Sequence, residues 1–68
     1  MTENFLREKR EEKGITMNEM AKILNVAQPM ITLYEQGKRR PLLDKVHKMS
    51  VVLDVPIEEI ALFFKNYK

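Results

Sequence analysis

The sequence predicts an all-α domain built from five short helices. Its composition is 44% hydrophobic and 32% charged, with two glycines and three prolines, which suits short helices and argues against disorder. Apolar residues recur at three- and four-residue spacing, and turn-forming residues interrupt them at regular intervals. At 68 residues the chain is near the lower limit for a domain that folds without disulfides or metal, so a single domain over 1–68 with one core is expected.

The first helix is expected to start at Thr2 or Asn4, either of which can cap it, and to run to Lys13 with Gly14 in the left-handed position that follows. Leu6 and Arg10 share its inner face. Thr16-Met17-Asn18-Glu19 reads as a capping box, in which the Thr16 hydroxyl and the Glu19 carboxylate each satisfy a backbone amide of the other. The second helix begins there, with Met20, Ala21, Ile23 and Leu24 as its apolar positions, and Asn25-Val26-Ala27 is a tight turn. A third helix spans Gln28 to about Gln36, with Pro29 in the first turn, where its missing N–H costs nothing, and Gly37 as terminator. Lys38-Arg39-Arg40-Pro41 forms an exposed basic loop. Leu43, Val46, Met49, Ser50 and Leu53 define the fourth helix, which Asp54-Val55-Pro56 stops. The fifth runs over about 57–67: Ile57, Ile60, Ala61 and Phe64 form one apolar stripe, while Leu62, Phe63 and Tyr67 lie off it and make a second apolar surface.

Several function classes are disfavoured. With no cysteine and a single histidine, His47, the chain offers neither a thiol nucleophile nor a metal-ligand cluster, so no catalytic residue, metal or cofactor is expected. His47 itself reads as a surface or boundary residue rather than a pH switch. The longest uncharged run, Ile23 to Tyr34, falls well short of what a membrane helix needs, and the N-terminus carries no apolar signal core. A cytoplasmic location, associated with the nucleoid, is expected. Net charge is +2, yet residues 22–49 carry +4 and the remainder −2, so the middle of the chain is where a polyanion would dock.

Two short helices joined by a three-residue turn, with small and aliphatic residues at the crossing, form the geometry that presents one helix to a DNA major groove. Ala21, Val26 and Ile31 are those packing positions, within a unit over about 16–36. The run from Met20 to Gln28 with Ile31, then Tyr34-Glu35-Gln36-Gly37-Lys38-Arg39-Arg40-Pro41 and later Leu53-Asp54-Val55, resembles the XRE family of Cro and phage-repressor type helix-turn-helix proteins. The resemblance covers residues 5 to about 62 and implies a lambda-repressor-like fold and sequence-specific binding to double-stranded DNA. By position it implies base contacts from Gln28, Pro29, Thr32 and Leu33, and backbone contacts from Met17, Met30, Lys38, Arg39 and Arg40. It also implies a structural ion pair between Arg10 and Glu35.

The residues support parts of this. A glutamine at a helix start can bond both N6 and N7 of adenine; the alternative is that Gln28 is simply solvated. Pro29, Met30 and Leu33 can meet thymine methyls, unless Met30 packs inward or the face binds protein. The basic loop matches the rule that phosphate contacts position while base contacts specify, its alternative being an ordinary solvated charge run. Met17 departs from the polar residue usual in the family, leaving the amides of the helix N-terminus for a phosphate, and Ala27 replaces a Ser or Thr cap at a cost of about 1 kcal/mol.

One module touches few base pairs, so a homodimer reading two half-sites is expected, with Leu62, Phe63 and Tyr67 as candidate interface residues; the alternative is that they cover the underside of the core. The chain ends at Lys68, so no sensing domain and no small-molecule ligand are expected. Repression is the mode the resemblance implies. The alternative function is a protein-interaction module, such as an antitoxin or antirepressor-like subunit with weak or shared DNA binding. An enzyme is disfavoured.

Overall fold

The structure, a computed structural model, describes residues 5–66. Helices α1 (Phe5–Glu12), α2 (Met17–Leu24), α3 (Gln28–Glu35), α4 (Leu43–Leu53) and α5 (Ile57–Asn66) follow one another, and no strand occurs among the described residues. The all-α, five-helix architecture is as the sequence predicts. The capping positions Thr2 and Asn4, and Tyr67, lie outside the described residues.

Four of the helices end in the same way. After α1, Gly14 takes φ +71°; its amide donates to the carbonyl of Glu11 at 3.0 Å and that of Ile15 to Arg10 at 3.1 Å. This pair of crossed bonds satisfies carbonyls that the helix itself leaves open. Asn25 (φ +59°), Gly37 (φ +75°) and Asp54 (φ +57°) do the same after α2, α3 and α4. Asparagine and aspartate tolerate the left-handed region better than other side chains, so Asn25 and Asp54 work where glycine is absent. After α4 the turn is further tied by Ser50, whose hydroxyl donates to the carbonyl of Val55 at 2.7 Å.

The helix starts differ more. At α2 the capping box is present: the Glu19 amide donates to Thr16 Oγ1 at 3.0 Å and the Thr16 amide to Glu19 Oε1 at 2.9 Å. Ala27 gives α3 no side-chain cap. Two features reduce the need for one, because Pro29 has no N–H and the Met30 amide donates to the Ala27 carbonyl at 2.9 Å.

Leu6, Met20, Ala21, Leu24, Ile31, Tyr34, Met49, Leu53, Val55, Ile60, Phe63 and Phe64 form one core. Leu24 and Ile60 are fully enclosed. Expectations at four positions are corrected. Ile23 and Leu43 are exposed, Leu43 to 77%, because α2 and α4 each turn a narrower face inward than their apolar spacing allows. Ala61 is exposed, and Phe63 is buried at 6% exposure rather than standing on a second surface. The reason is α1: Phe5 supplies an aromatic partner 6.1 Å from the Phe63 ring, and Phe64 meets that ring edge-on at 4.9 Å. Both spacings fall within the range favourable for aromatic pairs, so the buried face of α5 is centred on Ile60, Phe63 and Phe64.

A methyl group added at Gly14 would meet nothing within 4 Å, so Gly14→Ala isolates the backbone cost of the left-handed conformation. It should lower stability by about 1 kcal/mol, a fall of roughly 4–8 °C in Tm for a chain of this size. Asn25→Gly should leave Tm unchanged or slightly raised. Thermal denaturation of the two variants beside the parent reads both.

Candidate nucleic-acid interface

Helices α2 and α3 cross through the core positions Ala21, at 4% exposure, and Ile31, at 2%, with Val26 in the turn half-buried against them. Ala21 matters for its size, since a larger side chain there would push the two helices apart. On α3, Ile31 and Tyr34 face the core. At 100° per residue the opposite side carries Pro29, Leu33 and Gln36, flanked by Thr32 and Gln28. Gln28, Pro29 and Gln36 are exposed, and Thr32 and Leu33 half-buried. Gln28, Thr32 and Gln36 stand four residues apart and so form one row along the helix. Sequence reading singled out the first two and missed Gln36, although the same spacing marks it.

Arg10 holds this unit in place. Its side chain, 8% exposed, donates from Nε to Glu35 Oε2 at 2.6 Å, and Glu35 is 12% exposed. From Nη1 it donates to the carbonyl of Ile15 at 2.8 Å. One guanidinium thus joins α1, the loop before α2 and the last turn of α3. A buried cation is tolerable only when its charge and donors are met in this way.

Around α3 the expected backbone contacts fall into three kinds. Lys38 and Arg39 are exposed in the loop that follows the helix. Arg40 is exposed too, but its Nη2 donates to the carbonyl of Phe64 at 3.1 Å, so it also braces the loop against α5. Met30 is half-buried against the core and its amide is already bonded. At the start of α2, the capping box uses the amides of Thr16 and Glu19, leaving those of Met17 and Asn18 directed out of the helix end. The Met17 side chain packs partly into the core, and its sulfur accepts from the Thr32 hydroxyl at 3.6 Å.

A family model described as helix-turn-helix matches residues 6–60, spanning all but the beginning and the end of the five-helix unit. The chain belongs to the XRE-type helix-turn-helix family. Its members are DNA-binding transcriptional regulators, and DNA binding in transcription regulation is the function class of this chain. It is also 34% identical over 58 residues to a protein of Archaeoglobus fulgidus described as an uncharacterized HTH-type transcriptional regulator, covering 85% of this chain and 83% of that one. No solved structure matches the chain.

Within this family member, the remaining candidates sort by exposure. His47 is exposed on α4. Leu62 is 53% exposed on α5, whereas Phe63 belongs to the core. No helix among the described residues is long and apolar enough to cross a membrane.

The two halves of the buried ion pair should be strongly coupled, because removing one leaves the other charge buried without its partner. Arg10→Met alone, or Glu35→Leu alone, should lower unfolding free energy by about 3–5 kcal/mol. The double variant should lose clearly less than the two single losses combined, as urea titration of the four proteins would show.

Proposed function

We propose that this family member is a transcriptional repressor that binds a two-fold-symmetric operator as a homodimer, with α3 in the major groove. The observation that carries the reading is the open side of α3: Pro29 and Leu33 lie opposite the buried Ile31 and Tyr34, with Gln28 and Thr32 on its flank. Base contacts are assigned to those four residues, and Gln36 extends the row. Gln28 at the helix start is suited to bidentate bonding with adenine, and Pro29 and Leu33 to thymine methyls. Phosphate contacts fall to Lys38 and Arg39, to the outer donors of Arg40 and to the amides of Met17 and Asn18. Met30 contributes by holding the first turn of α3 in register more than by touching DNA.

Dimerisation is assigned to the outer surface of α5, with Leu62 as its apolar anchor and Tyr67 beyond the described residues. Phe63 acts from within the core, by fixing α5 against α1. Two half-sites about one helical turn apart supply the length of sequence that a single α3 lacks. A location in the cytoplasm on the nucleoid goes with this role. Leu42, Leu43 and Val51 are more than 70% exposed, and this apolar surface favours a second reading, in which the chain is an antitoxin or antirepressor-like subunit that docks a protein.

Selection of bound duplexes from a random pool tests the proposal, with Gln28→Ala run beside the parent at physiological salt. A two-fold-symmetric motif is expected, and the variant should lose about 1–3 kcal/mol of discrimination at one base pair in each half-site. Absence of any enriched motif sinks the repressor reading in favour of protein docking. Affinity should also fall steeply with salt, and Lys38→Ala and Arg39→Ala should each reduce the slope of log K against log salt by about 1 per protomer.

A further inference from the structure

The half-buried Thr32 sits in the middle of α3, where a threonine hydroxyl commonly donates back to the carbonyl four residues earlier. Here that carbonyl belongs to Gln28. The hydroxyl instead donates across the helix pair to Met17 Sδ at 3.6 Å. A threonine has one hydroxyl proton and two acceptor lone pairs, while a thioether can only accept. The bond therefore consumes the one donor that Thr32 has, and Met17 sets the direction in which it is consumed.

We infer that Met17 is a positioning residue that fixes the polarity with which Thr32 reads a base. With its proton held by sulfur, Thr32 meets the major groove as an acceptor beside a methyl group. In that groove adenine and cytosine present an amino donor, while guanine and thymine present carbonyl acceptors. The position read by Thr32 thus takes an amino-bearing base on the contacted strand and disfavours a keto-bearing one. A threonine hydroxyl without a fixed partner could turn to serve either kind; the partner that holds it here, in place of the Gln28 carbonyl, is Met17, 15 residues away in the sequence and on the neighbouring helix. The inference rests on the assignment of α3 as the base-reading helix.

Two measurements test it. In the free protein, three-bond couplings to the Thr32 γ-methyl should report a single staggered χ1 rotamer, and Met17→Leu, close to volume-conserving, should average it. In duplex selection, the parent should show an amino-over-keto preference of about two- to tenfold at one position per half-site, the range of a single net hydrogen bond. Met17→Leu and Thr32→Val should each erase that preference, while the other positions of the motif persist. Adding Met17→Leu to Thr32→Val should change nothing more at that position. An averaged rotamer in the parent overturns the inference, as does a preference that survives either single substitution. So does an effect of Met17→Leu that persists in the Thr32→Val background, since it would then act through packing alone. If the parent enriches no motif, the DNA-reading assignment itself fails and this inference with it, whereas a motif without the amino-over-keto preference overturns the inference alone.

Discussion

Arg10 reaches across the molecule to Glu35 at 2.6 Å and to the carbonyl of Ile15 at 2.8 Å, and it does so from a position only 7% exposed. Most small domains keep guanidinium groups at the surface, where water satisfies them. Burying this one makes its geometry exacting: the charge needs a carboxylate, and the fork of donors needs acceptors at fixed angles. Satisfying both determines where α1 ends, where the chain enters α2 and where the last turn of α3 lies. The helix pair that presents α3 is thereby referenced to α1, which would otherwise touch it only through apolar contacts that slide easily. An aliphatic substitute would fill the space but would not define the register.

The second constraint is brevity. The helices α1, α2 and α3 have eight residues each, well below the length at which an isolated helix holds together in water. Their persistence depends on closing each end locally and on packing one face. Left-handed residues at positions 14, 25, 37 and 54 close four C-termini with crossed amide bonds, and a reciprocal cap closes the start of α2. Where α3 lacks a cap, proline removes a donor that would need one. The open side of α3 is a by-product of this economy, since two residues, Ile31 and Tyr34, suffice to anchor it and the rest stay available.

Much of this was legible in the sequence, because the signals were local. Thr16 and Glu19, Gly14, Gly37 and Pro29 mark helix ends through chemistry confined to a few neighbouring residues, and helical spacing picks out Leu6, Leu24, Ile31 and Leu53. What spacing does not reveal is which of two apolar faces finds a partner. Phe63 looked like surface until Phe5, 58 residues earlier, came up against it; the spacing within α5 carries no trace of α1. Ile23 and Leu43 failed in the opposite direction, having the right character and no neighbour. On α3, position along the sequence singles out Gln28 and Thr32, but the bond from Thr32 to Met17 joins two helices, and the sequence marks Met17 only by the polar group it lacks. In the sequence Arg40 is one cation of a basic loop, while its bond to Phe64 depends on where α5 runs.

Eight-residue helices that cannot survive alone also govern how the regulator disappears. Nothing in the chain can keep α3 helical once the core opens, because its own hydrogen bonds are too few and its N-terminus has no side-chain cap. Loss of the core and loss of the helix proposed to read DNA are therefore one event. A protease that waits for the open form meets a chain that has already let go of its target, so the lifetime of the bound regulator and its resistance to turnover rise and fall together.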